Sequence, residues 1–356
     1  MIQKFIVCLL VLYGSGKITG QKQYNDCVFI NLCPRANVLQ NNSDFNSIQK
    51  LLNSFCGFET VAGITRPKVR TDDDGEMHKN VDLLPDDCGN IYTDRLLGAY
   101  YANLYEYPWM ALLSYRSRDR KTYEFKCGGT IINSRYVLTS AHCVKDKVLA
   151  GVRMGEYDIS QRTDCGFYNT CESYIQDVRI EKIIIHEQYD PMNTSVTNDI
   201  ALLRVKKPIE LVRHKNIAPI CLPVWKNLQN INVSEKIATV AGWGLAEAGT
   251  PSRILKNVYV PIFNETACHR YLNRNSELNL DNPQIKTICA GEARGDNHCN
   301  GDPGGPLMIQ DQYKDDIRVI QVGIASYGPS QCGSTAPAVY TDVTKYVDWI
   351  LDNIEA

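Results

Sequence analysis

The chain has 356 residues, 38 Lys and Arg against 40 Asp and Glu, a formal net charge of −2 and 44% hydrophobic residues. This is enough apolar material for one large domain with a small appendage. The near-neutral balance gives no electrostatic reason to expect nucleic acid as a partner, and no stretch beyond the first residues is long and apolar enough for a membrane helix.

Residues 1–20 read as a secretory signal: Lys4 precedes an apolar run, Phe5 to Tyr13, too short to span a bilayer. Cleavage fits at Gly14-Ser15-Gly16 or at Ile18-Thr19-Gly20. Of the 14 cysteines, Cys8 leaves with the signal, so 14 − 1 gives 13 in the secreted chain. In an oxidising compartment these are mostly disulfides, and sequence alone does not give their pairing.

Residues 21–60 are polar and contain Cys27, Cys33 and Cys56, with one apolar patch, Ile48 to Leu52, that predicts a short helix. The three cysteines lack His-rich or CxxC spacing, which argues against zinc. Residues 61–95 read as a linker, with the acidic, turn-prone Asp72-Asp73-Asp74-Gly75 inside it.

From Trp109 onward short β-rich runs recur between Gly, Pro, Asn and Asp. They are Trp109–Tyr115, Gly128–Ile132, Tyr136–Thr139, Ile180–Ile185, Ile200–Val205, Ile237–Ala241, Leu255–Val260, Val319–Ala325 and Ala338–Val343. Such texture predicts an all-β fold, with antiparallel sheets closed as barrels or packed as a sandwich. The end is helical: Tyr346, Val347, Ile350, Leu351 and Ile354 share one face. Asn41, Asn193, Asn232 and Asn264 head N-x-S/T acceptors, plausible surface glycans in a secreted chain.

Three motifs then follow in order. Thr139-Ser140-Ala141-His142-Cys143, Asn198-Asp199-Ile200-Ala201-Leu202-Leu203 and Cys299-Asn300-Gly301-Asp302-Pro303-Gly304-Gly305-Pro306 resemble the base, acid and nucleophile segments of the chymotrypsin/trypsin-like serine proteases. The likeness runs from about residue 88 to the end and implies two six-stranded antiparallel β-barrels with the active site between them, over residues 96–356. Residues 21–60 resemble, more weakly, the clip domains of arthropod proteases, through Cys27-x5-Cys33 and Ser54-Phe55-Cys56-Gly57-Phe58. A full clip closes on an adjacent cysteine pair, where this chain has Arg66-Pro67-Lys68-Val69-Arg70, so the clip is degenerate.

The resemblance implies the disulfides Cys127–Cys143, Cys268–Cys289, Cys299–Cys332, Cys88–Cys221 and Cys165–Cys171. Cys27–Cys56 is assigned as the clip's bridge, leaving Cys33 either free or paired between chains.

Acyl transfer in this family needs an activated hydroxyl, an imidazole to take its proton, a carboxylate to orient the imidazole, and N–H donors for the oxyanion. By resemblance His142 is the base and Asp199 the orienter. Position 303, where an active member has serine, is proline. Proline has neither a hydroxyl nor an N–H, so nucleophile and one oxyanion donor vanish together; the other donor position is Gly301. No serine neighbours Pro303 in sequence; Ser326 and Ser330 belong to another segment.

The specificity pocket is changed as well. Asn297, beside His298, stands where trypsin-like members carry a carboxylate, and a neutral amide supplies no charge for a buried guanidinium. Gly328 resembles the pocket wall, and Ala338 takes a place often held by glycine, narrowing it. Drift after loss of catalysis and retuned specificity explain these changes equally well.

Arg95-Leu96 resembles a zymogen cleavage junction, after which the Leu96 amino group would pair with Asp302. Cys88–Cys221 would keep the clip part tethered. The loop bearing Glu156 and Asp164, closed at Cys171, resembles a calcium loop of the family. No cofactor is required, and calcium is the only metal implied.

The leading reading is a secreted, non-catalytic serine protease homologue of arthropod haemolymph, a cofactor or adaptor in a protease cascade such as melanisation or innate immunity. Its partners would be the activating clip protease, that protease's substrate or an inhibitor, with neither nucleic acid nor membrane. One alternative is an active endopeptidase, if position 303 is natively serine; another is an extracellular binding module with Cys33 linking two chains.

Overall fold

The computed structural model describes residues 27–29, 55–61, 64–70, 78–91, 101–117, 122–166, 170–192, 197–211, 214–244, 251–275, 286–291, 302–314, 316–328 and 336–356. The chain divides into two compact units, 1–75 and 76–356.

In the first unit β1 (Cys27–Phe29), β2 (Phe55–Val61) and β3 (Ile64–Arg70) form an antiparallel sheet in the order β1-β3-β2. This corrects the reading of 61–95 as linker throughout, because residues 64–70 supply the middle strand. Pro67 is tolerated there because β1 pairs only with 68–70, so the sheet is two strands wide at position 67. The predicted helix at Ile48 to Leu52 lies outside the described residues.

The second unit contains two curled sheets. The first has β4 (Met110–Arg116), β5 (Tyr123–Ile131), β6 (Tyr136–Thr139), β7 (Leu149–Met154), β10 (Gln176–Val178), β11 (Ile180–Ile185) and β12 (Ala201–Val205), in the order β10-β7-β4-β5-β6-β12-β11. The two edge strands are halves of one strand interrupted at Arg179. One half pairs with β7 and the other with β12, so the sheet closes as a six-stranded barrel. A two-stranded ribbon, β8 (Asp164–Cys165) and β9 (Cys171–Glu172), projects from it.

The second sheet has β13 (Ile237–Gly242), β14 (Lys256–Pro261), β15 (Thr287–Ala290), β16 (Pro306–Tyr313), β17 (Asp316–Tyr327) and β18 (Ala338–Asp342), in the order β14-β13-β16-β17-β18-β15. It closes where Phe263 N donates to Cys289 O at 2.9 Å and Gly291 N to Pro261 O at 3.1 Å. The barrels, rather than a sandwich, are the outcome.

Among the described residues the α-helices are a single turn, α1 (Lys226–Gln229), then α2 (Glu265–Asn275) and α3 (Val347–Asn353). Val347, Ile350 and Leu351 bury one side of α3, as their spacing predicts. Helix α2 escaped the sequence reading because it is largely polar. Asn264 Oδ1 caps it, accepting from Ala267 N at 2.8 Å, and Cys268 ties it to β15 through Cys289.

Buried polar contacts join the barrels. Thr130 Oγ1 on β5 donates to Gln321 Oε1 on β17 at 2.6 Å, and Trp109 Nε1 lies 3.2 Å from Met308 Sδ. A buried hydroxyl–amide bond of this kind is costly to break from one side only. His142, Asp199 and Pro303 lie along this seam. Residues 78–91 dock on the same unit: His78 Nε2 is 3.0 Å from Asp352 Oδ1, Val319 N donates to Gly89 O at 2.8 Å, and Cys88 bonds Cys221.

Candidate active site

His142 sits on a single 3₁₀ turn, Ala141–Cys143, directly after β6. The Cys127–Cys143 disulfide pins that turn to β5. Asp199 precedes β12 and follows Asn198, whose φ of 61° places it in the left-handed region that asparagine tolerates. The Asp199 carboxylate is buried and grips the turn twice: Oδ2 lies 2.7 Å from His142 Nδ1, and Oδ1 accepts from His142 N at 2.9 Å.

Ser326 Oγ donates to the same Oδ2 at 2.5 Å, and Thr341 Oγ1 donates to Asp199 O at 2.8 Å. Burial pushes the Asp199 carboxyl up. The hydrogen bond and charge of His142, the Ser326 hydroxyl and the His142 N–H outweigh it, leaving the group below its ordinary value. Asp199 therefore stays ionised and holds the imidazole with Nδ1 toward it and Nε2 outward, the orientation a general base requires.

Pro303 occupies an exposed turn leading into β16. Its carbonyl accepts from Gly128 N at 2.8 Å and lies 3.5 Å from Cys143 Sγ, the residue after His142. Gly304 N donates to Ala325 O at 2.8 Å, immediately before Ser326. Position 303 is thus held beside His142 by strands of both barrels. What it presents there is a pyrrolidine ring, with no O–H to activate and no N–H to donate.

The remaining described hydroxyls of the cluster offer no replacement. Ser326 is buried and directs its proton to Asp199, and Ser140 Oγ is buried without a partner. Among the described residues the only cluster of three or more His, Cys and acidic side chains close enough to share a metal is Cys127, His142 and Cys143. Its two sulfurs are bonded to each other and offer no thiolate.

Asp302, next to the proline, is buried. Its carboxylate accepts from Trp243 N at 2.8 Å and from the Gly244 N–H, and no cationic group pairs with it among the described residues. Cβ atoms built on Gly242 and Gly244 would come within 2.6 and 2.9 Å of its oxygens, so the cradle admits only glycine. Burial raises this carboxyl from 3.8 to about 6, the two N–H groups offsetting part of the effect.

An acid that holds its proton more tightly when folded stabilises most below its unfolded value. That contribution is lost as pH rises through the folded value. For Asp302 the loss falls between about pH 4 and 6 and amounts to on the order of 3 kcal/mol. Replacing Asp302 by Asn in the uncut chain is therefore expected to raise the thermal midpoint at pH 7.5 and to flatten its fall between pH 4 and 6. A lower midpoint at pH 7.5 would contradict this.

Glu156 and Asp164 are buried together. Asp164 accepts from Tyr157 N at 3.0 Å and from Asp158 N at 3.1 Å, while Glu156 Oε2 lies 3.4 Å from Arg153 Nη1. Burial and then the Asp164 charge push Glu156 up to about 7, despite Arg153.

Ala338 is buried on β18, and Gly328 is exposed beyond the end of β17. Asn297, His298, Cys299, Gly301, Cys332, Arg95, Leu96, Asn41, Asn193 and the side chains of Cys27 and Cys56 lie outside the described residues. The other four disulfides are closed: Cys88–Cys221, Cys127–Cys143, Cys165–Cys171 and Cys268–Cys289. Asn232 and Asn264 are exposed. Ser326 and Thr341, which hydrogen-bond Asp199, are the residues of this cluster whose place the sequence reading missed. Each lies more than a hundred positions from Asp199, and no local signal announces either.

Three comparisons bear on this arrangement. The family model Trypsin matches residues 97–350. CLIP domain-containing serine protease HP8 of Bombyx mori is 35% identical over 376 residues, covering 99% of this chain and 98% of that protein. The Spaetzle-processing enzyme of Drosophila melanogaster is 34% identical over 378 residues, covering 97% and 92%. The crystal structure of the Drosophila Grass clip serine protease of the Toll pathway superposes with a TM-score of 0.65 at 30% identity, covering 92% of this chain and 93% of that one.

Proposed function

Because the chain belongs to the trypsin family, and along its length to the clip-domain serine proteases, we propose that it is a secreted member without catalytic activity that works by binding. The observation that carries this reading is Pro303, held beside an aligned His142–Asp199 pair where the family's nucleophile is expected. The protease fold then serves as a rigid scaffold for loops and a cleft. The role is that of a cofactor or adaptor in an extracellular protease cascade. Names such as Spaetzle-processing enzyme and Grass of the Toll pathway, borne by proteins similar to this one, support that setting.

The partners are the clip protease that cuts after Arg95, that protease's substrate, or an inhibitor. Cutting frees the Leu96 amino group, and the uncompensated Asp302 carboxylate is the socket we assign to it. The cut thereby switches conformation without starting catalysis. With Asn297 in the pocket, a basic side chain is not the ligand of choice. Calcium belongs to the same proposal at Glu156 and Asp164, two buried carboxylates whose oxygens suit a hard cation.

The test is capture from haemolymph by cut and uncut protein side by side. The cut form is expected to retain a cascade protease, its substrate or an inhibitor that the uncut form does not, and identical, empty eluates would contradict the reading. One observation favours a second reading: the intact His142–Asp199 pair suits an active endopeptidase. Sequencing the source transcript decides it, since that reading requires serine at codon 303.

A further inference from the structure

The base left without a hydroxyl has another neighbour. His142 Nε2 lies 3.6 Å from Cys143 Sγ, within the Cys127–Cys143 disulfide. Among the described residues this is the only place where two cysteine sulfurs and an imidazole nitrogen come within 4.8 Å of one another. We propose that Cys127–Cys143 is a thiol-exchange site: an external thiol displaces Cys143 from Cys127, and His142 delivers a proton to the departing sulfur.

Three features of the site support the step. Asp199 Oδ2, 2.7 Å from Nδ1, fixes the ring so that Nε2 is the nitrogen facing the sulfur, and it stabilises the imidazolium that carries the proton. With proline at 303, no hydroxyl competes for Nε2. The product is provided for as well: Pro303 O lies 3.5 Å from Cys143 Sγ, placed to accept the S–H once the bond has opened. Of the two residues Cys127 is the less buried, 8% exposed against 1% for Cys143, and it is the one we assign to the attack.

The thiol first ionises, losing its proton to solvent. Its thiolate attacks Cys127 Sγ, forming a mixed disulfide as the Cys127–Cys143 bond breaks. The bonding pair leaves on Cys143 Sγ, which takes the Nε2 proton, and His142 is reprotonated from water. One thiol and one disulfide become one mixed disulfide and one thiol, so no further oxidant or reductant is needed. The half of the ring that would have served acyl transfer becomes the acid for a sulfur leaving group. This step goes beyond the adaptor reading and stands or falls without it.

The full-length protein is treated with reduced glutathione, quenched with N-ethylmaleimide at timed points and mapped by mass spectrometry. Two other buried disulfides, Cys88–Cys221 and Cys268–Cys289, are references within the same molecule. Cys127–Cys143 is expected to open faster than either, with glutathione on Cys127 and maleimide on Cys143. His142→Gln is expected to slow it on the order of tenfold, leaving the two reference bonds unchanged. Pro303→Ser, whose hydroxyl reclaims Nε2, is expected to slow it too. Equal opening of the three bonds, an unchanged rate in either variant, or glutathione on Cys143 would each overturn the proposal.

Discussion

Cut after Arg95, the chain is expected to hydrolyse peptide substrates on the order of 10⁶-fold more slowly in kcat than a serine-bearing member of the family. The covalent route needs a side-chain hydroxyl on residue 303, and proline has none. The loss of the N–H at the same residue adds to this. Removing one oxyanion donor costs roughly 2.7–4 kcal/mol where it has been measured. What survives is water attack assisted by His142 on a carbonyl that has half its stabilisation. Pro303→Ser returns both the hydroxyl and the N–H in a single change. It is expected to recover several of those orders of magnitude, without recovering a preference for Arg or Lys, because Asn297 supplies no negative charge. The readout is kcat/KM over a panel of chromogenic peptides differing at the residue before the cut. Full turnover by the parent protein would contradict this reading; so would an Arg preference in the serine variant.

The second large effect concerns the turn that presents residue 303. Gly304 has φ of 79°, and a Cβ added there would lie 2.3 Å from Thr139 Oγ1 and 2.7 Å from Gly128 O. One of these atoms is backbone, and the other is a buried hydroxyl already donating to that same carbonyl at 2.8 Å. Neither can yield cheaply. Gly304→Ala therefore combines left-handed strain with a clash in the seam between the barrels. It is expected to cost on the order of 3–5 kcal/mol, a fall of roughly 6–20 °C in the thermal midpoint for a unit of this size. Because Gly128 N holds Pro303 O, the variant also displaces residue 303 from His142. A midpoint within about 1 °C of the parent would show that the turn is not held as described.

Much of the fold was legible because its signals are local. Strands β4, β6, β12, β17 and β18 carry runs of apolar residues between turn formers, and α3 repeats its apolar residues at helical spacing. Strands β7 and β16 were missed because Arg153 and the polar Gln310-Asp311-Gln312 dilute their apolar character. Strand β3 was hidden by its three cations and Pro67, which read as linker chemistry until pairing with β2 is seen. The site divides in the same way. His142 and Asp199 sit in motifs that survive as strings of residues. The hydroxyls of Ser326 and Thr341, and the glycine cradle of Asp302, exist only once strands distant in sequence are brought together. Their roles follow from tertiary contact, which no spacing within one chain encodes.

The proposal of a member without catalysis rests on one point: proline at position 303 has no hydroxyl to form an acyl bond. It is probed by intact-mass measurement of the Arg95-cut protein after excess fluorophosphonate, alongside Pro303→Ser treated identically. No mass increase is expected in the parent, and a single phosphonyl adduct on the introduced serine is expected in the variant. A stoichiometric adduct on the parent protein, localised to a serine in the cleft, would show that a nucleophile exists after all.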